Sequence, residues 1–227
     1  MNGQKLLALH KTIIMARIAD LRKTYSQKKL VEEKAKPDAI QQFTKWWEQA
    51  VEAEIEEVNA MTLATASVDG IPSARIVLLK DYSEKGFIFF TNYESYKGKQ
   101  LAENPKACLV FFWKELERQI RITGLVSKIN RSESEEYFLS RPHESQVGAL
   151  VSPQSQVIAS RDWLEQEYKT NIEQFKDRTV PKPDHWGGYI VKPVMIEFWQ
   201  GRPGRLHDRL QYSLKEDGQW KIERLAP

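Results

Sequence analysis

Between Gln200 and Arg209 the chain carries Arg205, His207 and Arg209 alternating with Leu206 and Asp208, directly after the apolar, β-rich run Met195 to Trp199. Guanidinium and imidazole groups are donors suited to anionic and electron-rich ligands. On a strand, alternate residues share a face, which places Arg205, His207 and Arg209 on one side. At about 3.3 Å per residue the two arginines then lie roughly 13 Å apart with the imidazole between them. That spacing suits a long, flat anion better than a single ion. The plainer alternative is a solvated edge strand.

Two further sets of donors stand out. Arg75 and Lys80 bracket the apolar Ile76, Val77, Leu78 and Leu79. This reads as a buried strand whose end charges point to opposite faces and can serve two anions, or as strand-end charges in water. Tyr137, Arg141 and Ser145 follow at four-residue spacing. Tyr137 and Arg141 can lie on adjacent turns of one helix, although Pro142 interrupts it. Phenol, guanidinium and hydroxyl are phosphate-recognising donors. Gln154 and Ser155 add donors in a polar stretch that is uninformative in isolation.

The elements that must position these residues follow from length and pattern. The 227 residues are enough for one sizeable core, with 41% hydrophobic content and seven tryptophans. A net charge of +3, from 34 basic and 31 acidic side chains, is too balanced and too dispersed for a nucleic-acid binder. One cysteine, Cys108, excludes an internal disulfide and a cysteine metal cluster, and its apolar neighbours read as core. The four histidines lack metal-ligand spacing, so no metal site is expected. No apolar run approaches a membrane span, no signal peptide is evident, and a reducing, cytoplasmic setting is expected.

Residues 3 to about 30 read as helix, and Asp38 can cap a second helix carrying Ile40, Phe43, Trp46, Trp47, Ala50 and Val51. The period then changes to β. Met61 to Val68, a turn at Asp69-Gly70, and Ser73 to Lys80 form a hairpin signal. Further strands are expected at Gly86 to Thr91, Ala107 to Trp113, Gln119 to Ile129, Tyr189 to Trp199, the arginine–histidine segment and Trp220 to Leu225. Helices are expected at Ser95 to Glu103, Ser132 to Leu139 (opened by a Ser132/Glu135 capping box) and Ser160 to Phe175. Hairpins and short helices joining at least six strands argue a mainly β, α+β fold, an antiparallel barrel with peripheral helices. Residues 1–34 read as an N-terminal helical extension and mobile segment, 35–227 as a single domain. Dinucleotide and phosphate-loop glycine patterns are absent, so side chains must hold any cofactor phosphate.

Taken in order, Arg75 to Lys80, Phe90-Thr91-Asn92, Leu116 to Gln119, Ser140-Arg141-Pro142 with Ser145-Gln146, Trp186-Gly187-Gly188, Glu197 to Gly201, Arg205 to Arg209 and Glu223 to Pro227 resemble the pyridoxamine 5′-phosphate oxidase family from about Ile18 to the C-terminus. The resemblance implies an FMN-binding split β-barrel that forms a homodimer with FMN at the subunit interface. It implies oxidation of pyridoxamine and pyridoxine 5′-phosphates to pyridoxal 5′-phosphate, with dioxygen reduced to hydrogen peroxide. The implied FMN residues are Arg75, Ile76, Val77, Leu78, Leu79, Lys80, Phe90, Thr91, Tyr96, Lys97, Gln119, Gln154, Ser155, Trp199 and Arg209. The implied substrate residues are Lys80, Tyr137, Arg141 and Ser145 for the phosphate, and Arg205, Leu206 and His207 at the pyridine ring. The resemblance also implies that Arg205 and His207 are the catalytic pair and that Arg22 and Tyr25 belong to a segment closing over the site.

One position departs from the family pattern. Tyr96 stands where arginine is usual, leaving Arg75 and Lys97 as the main cations for the FMN phosphate. A phenol still donates one hydrogen bond, so weakened cofactor affinity is expected. Two other readings share much of the sequence: another split-barrel flavoprotein such as a flavin reductase, and a non-catalytic carrier of pyridoxal phosphate. Neither membrane nor nucleic acid is an expected partner.

Overall fold

A computed structural model describes residues 24–227. Arg22 and most of the expected N-terminal helix lie outside the described residues. Within them, residues 24–31 form no helix and bend at Gln27, so the expected helix does not reach residue 30. A short 3-10 turn, Glu32–Lys34, leads into α1 (Ala39–Glu52). The Asp38 carboxylate caps that helix by accepting from the Ile40 and Gln41 amides at 2.8 and 2.9 Å.

Nine strands form one curled antiparallel sheet. They are β1 (Ala60–Ala66), β2 (Pro72–Leu78), β3 (Asp81–Ser83), β4 (Gly86–Asn92), β5 (Lys106–Trp113), β6 (Arg118–Lys128), β7 (Trp186–Gln200), β8 (Asp208–Leu214) and β9 (Trp220–Arg224). The strand order is β2-β1-β5-β6-β7-β4-β3, with β8 joined to the far half of β7 and β9 joined to β8. The fifteen-residue β7 is the element that splits the barrel. Its first half pairs with β4 and its second with β8, while β6 runs along its length. The β6 register shifts at Thr123/Gly124. A Cβ at Gly124 would lie 2.9 Å from a Val191 side-chain carbon and closer still to the Lys192 carbonyl, so only glycine allows this approach.

The core sits under α1. Phe43 is fully buried, with its ring 4.9 Å from Phe87, 4.8 Å from Tyr82 and 5.5 Å from Phe111. Trp46 is buried and Trp47 packs against the same cluster, so both tryptophans are core residues. The remaining helices are α2 (Tyr96–Glu103), α3 (Arg131–Ser140), α4 (His143–Val151) and α5 (Arg161–Gln174). A second core of Phe138, Val147, Val180 and Trp186 joins α3 and α4 to the start of β7. No described helix is long and apolar enough to cross a membrane.

Several local expectations are corrected. Arg205 does not share a strand face with His207 and Arg209, because β8 begins only at Asp208. Pro203–Arg205 is a 3-10 turn in which Gly204 and Arg205 have φ of 65° and 62°. Proline pre-sets such a turn and left-handed residues reverse the chain, which breaks the period-two alternation. Arg75 to Lys80 is not a buried strand: β2 lies at the sheet edge, ends at Leu78, and leaves Ile76 66% exposed. Ser132 and Glu135 do not form a capping box, since α3 starts at Arg131 after Asn130. Cys108 is half-buried on the face of β5 opposite the core. The short β3 and the helix α4 were not expected; α4 is amphipathic only weakly and follows a proline, so periodicity does not reveal it.

Candidate active site

The largest convergence of expected residues is a cleft of about 710 Å³ between β2, β4, α2 and the α3–α4 corner. Arg75, Ile76, Val77, Leu78, Lys80, Phe90, Thr91, Lys97, Tyr137, Arg141, Ser145 and Gln154 all line it. A cleft of that size is in the range of cofactor sites.

Its cationic end is built from two strands and a helix. Arg75 on β2 donates to Thr65 Oγ1 and Ser73 Oγ, both at 2.6 Å, and to the Leu63 carbonyl at 3.2 Å. Those two hydroxyls are in turn tied to Gln100 Oε1 at 2.6 and 2.7 Å. Thr65, Ser73 and Gln100 thus orient the guanidinium, a supporting role that a sequence pattern does not disclose. Lys97 on α2 donates to Gln154 Oε1 at 3.0 Å and Thr91 Oγ1 at 3.1 Å. Burial, helped by the neighbouring Arg75 charge, pushes the Lys97 ammonium down to about 8. Burial also lowers the Arg75 guanidinium. None of the ion pairs among the described residues includes Arg75, Lys97 or Arg141. Cations held by neutral oxygens, without a carboxylate, are arranged to receive an anion.

The other end is aromatic and cationic. Tyr137 is on α3, Arg141 caps its end, and Ser145 is on α4. The helix breaks between Tyr137 and Ser145, yet all three face one cleft because Gln146 ties the corner. Its Nε2 donates to the Leu139 and Arg141 carbonyls at 3.2 and 2.8 Å. The Arg141 guanidinium lies 4.8 Å from the Trp186 ring, and its Nη1 is buried without a hydrogen-bond partner. Burial lowers its pKa from the ordinary arginine value. Trp186 and Asn92 also line the cleft and were not among the expected site residues. The Trp-Gly-Gly triplet was the available signal, since paired glycines mark close packing beside the tryptophan.

A second group lies elsewhere on the same chain. Gln119, Trp199 and Arg209 are cross-strand neighbours on β6, β7 and β8. His207 packs 4.6 Å from the Trp199 ring, and the Tyr25 ring meets both edge-on at 5.7 and 5.8 Å. His207 Nδ1 accepts from the Arg202 amide at 3.1 Å, which leaves Nε2 to carry the proton of a neutral imidazole. Arg209 donates to the buried Glu197 at 2.8 Å, and Arg121 pairs with the other oxygen of that carboxylate at 3.2 Å. Arg205 and Leu206 are exposed. None of these residues lines the first cleft. Leu79, Tyr96 and Ser155 do not line it either: Leu79 is buried in the core, Tyr96 is 54% exposed, and Ser155 is an exposed turn residue with φ 69°.

Comparisons with known proteins show the family to which this fold belongs. Residues 47–174 match the family model described as pyridoxamine 5′-phosphate oxidase. Residues 186–227 match the model described as the pyridoxine 5′-phosphate oxidase C-terminal dimerisation region. Pyridoxine/pyridoxamine 5′-phosphate oxidases from Trichormus variabilis and Salinibacter ruber are 55% and 53% identical to the chain. The alignments cover 92% and 94% of the chain, and 98% and 100% of those proteins. Among solved structures, PhzG from Burkholderia lata 383 superposes with a TM-score of 0.83 at 28% identity, covering 89% of this chain and all of that one. An FMN-binding protein from Nostoc punctiforme related to pyridoxamine 5′-phosphate oxidase shares the fold, with a TM-score of 0.67 at 14% identity and coverage of 82% and 97%. By sequence over most of its length, and by its split-barrel fold, the chain belongs to the pyridoxamine 5′-phosphate oxidase family.

Proposed function

We propose that the chain is an FMN-dependent oxidase that converts pyridoxamine and pyridoxine 5′-phosphates to pyridoxal 5′-phosphate, with dioxygen as electron acceptor and hydrogen peroxide as its product. The observation that carries this reading is the carboxylate-free cleft with cations at both ends, one of them Arg141 with an unpaired buried Nη1. Such a cleft fits two phosphates, one from a cofactor and one from a substrate.

The residues present fit FMN. Arg75 and Lys97 would hold its phosphate with Thr91 and Gln154, while Ile76, Val77 and Leu78 would run beside the ring system. FMN, when bound, supplies the two-electron acceptance that no side chain in the cleft offers. Lys80, Tyr137, Arg141 and Ser145 would take the substrate phosphate and exclude water from it. Arg205, Leu206 and His207 would meet the pyridine ring, with Nε2–H of His207 available to hold the hydroxyl oxygen on that ring. Leu79 contributes core packing; Tyr96 and Ser155 would contribute only at the rim.

Because Gln119, Trp199, Arg205, His207 and Arg209 stand away from the cleft, a complete site would pair the cleft of one chain with this group from a second copy. The match of residues 186–227 to a dimerisation region supports that pairing. Anaerobic mixing with pyridoxamine 5′-phosphate should bleach the yellow of the FMN-loaded protein within the mixing experiment, and oxygen should restore it. A flavin that stays oxidised at saturating substrate would remove the proposed activity. Bleaching by a reduced nicotinamide instead would favour a flavin reductase.

A further inference from the structure

Trp186 has no role in the reading above, yet its surroundings are built with unusual care. It opens β7 and is 6% exposed. Its ring is nearly parallel to Phe90, at 5.3 Å and 14°, and to Tyr137, at 6.2 Å and 7°. Phe90 and Tyr137 themselves stack at 3.9 Å. Phe138 meets the indole edge-on at 5.2 Å. The Arg141 guanidinium then lies over the indole at 4.8 Å, with Nη1 buried and unbonded.

The backbone holds that ring in place. The Trp186 amide donates to the Pro183 carbonyl at 3.1 Å, and its carbonyl accepts from Lys182 Nζ at 3.0 Å. Behind it, a Cβ at Gly188 would lie 2.9 Å from Phe90, and one at Gly187 would run into the Tyr93 ring. Gly188 therefore leaves room for the Phe90 and Ile129 side chains beside β7, and Gly187 for the Tyr93 ring.

We propose that Trp186 is a positioning residue for substrate-phosphate recognition: its indole face holds the desolvated Arg141 guanidinium, and its stack with Phe90 holds the Tyr137 phenol, in the orientation the phosphate needs. A guanidinium that had a carboxylate partner would not need a π face and would be neutralised before substrate arrived. The indole stabilises the cation without supplying a competing anion, so Nη1 stays free. The proposal rests on the assignment of Arg141 to the substrate phosphate, and deepens it.

The test compares Trp186→Leu, Trp186→Phe, Arg141→Ala and the Arg141→Ala/Trp186→Leu double variant as FMN-loaded proteins. The readout is the dissociation constant for pyridoxal 5′-phosphate and, separately, for unphosphorylated pyridoxal, by calorimetry. Trp186→Leu should weaken pyridoxal 5′-phosphate by about tenfold, the scale of a desolvated cation–π contact, and leave pyridoxal within about twofold. Trp186→Phe should recover part of the loss, and the double variant should bind only slightly worse than Arg141→Ala, by the smaller part of the effect that runs through Tyr137 instead of Arg141. Equal weakening of both ligands, loss of FMN from Trp186→Phe, or an additive double variant would overturn the role given to Trp186. Unchanged phosphate affinity in Arg141→Ala would instead remove the assignment of Arg141, and this inference with it.

Discussion

Lys97 Nζ donates to Gln154 Oε1 across 3.0 Å, joining the first turn of α2 to a loop more than fifty residues later. Gln154 is exposed and Lys97 half-buried, and the ammonium is already depressed to about 8 by burial and by Arg75. An FMN phosphate would favour the protonated lysine, so the bound state carries more protons than the free state above pH 8. FMN affinity should therefore be constant below about pH 7 and fall as pH rises through 8, by up to tenfold per pH unit. Flavin-fluorescence titrations of the apoprotein across pH 6.5–9.5 check this. The Lys97→Arg variant should lose the inflection, and a wild-type affinity flat across that range would contradict the prediction.

Tyr96 occupies the first position of α2, 54% exposed and close enough to Arg75 to act on its charge. Tyr96→Arg should tighten FMN binding by about 1 kcal/mol, below the range for a fully desolvated charged bond because the site is half in water. The gain should shrink as salt is raised from 0.05 to 0.5 M. A weaker affinity would mean that the phenol already makes its own contact with the cofactor.

Gly201 is buried, and a Cβ there would sit 2.7 Å from the Tyr25 ring. The segment beyond Tyr25 is anchored by Ser26 and Gln27 amides on Glu117, at 2.9 and 3.2 Å, and by the Leu30 amide on Asp208 at 3.1 Å. Gly201→Ala should displace Tyr25 from Trp199 and His207 while those anchors hold. The expected result is a several-fold higher KM for pyridoxamine 5′-phosphate, with FMN content changed little and Tm lowered by several degrees, as overpacking costs about 1–3 kcal/mol. Steady-state kinetics beside a thermal melt separate this from general destabilisation.

Glu197 is buried between Arg121 and Arg209, and its bond to Arg209 raises that guanidinium's pKa. Glu197→Gln leaves two arginines facing a neutral amide, which should cost about 2 kcal/mol of stability, below the range for breaking a fully buried pair because both guanidiniums reach water. Thermal unfolding of apoprotein measures the loss. An unchanged Tm would show that the two arginines repel no more than they are attracted.

Arg141→Ala and His207→Ala lie in the two separate groups of residues. If one site draws on both chains, each variant alone should be slow, but a denatured and refolded mixture should recover about a quarter of wild-type activity, since half the dimers are mixed and each holds one intact site. Activity no higher than the mean of the two variants would place both residues in the same chain's site.

Composition and periodicity determined the secondary elements that local rules control. The Asp38 cap, the hairpin around Asp69-Gly70, the Ser95 and Ser160 helix starts and most strands follow from side chains acting on their own neighbourhood. The ordered set of short motifs, from Arg75 to Arg209, also sufficed to show family and fold. The sequence could not show that β2 is an open edge, because burial depends on which strand comes to lie beside it. Nor could it show that Pro203, Gly204 and Arg205 turn where alternation suggests a strand. Only the tertiary structure separated the site residues into a cleft group and a Trp199–His207 group. Likewise the cradle of Thr65, Ser73 and Gln100 and the indole under Arg141 join residues from distant elements. Side-chain spacing along a strand or helix carries no information about such contacts, since their geometry is set by how the sheet curls and where β7 changes partners.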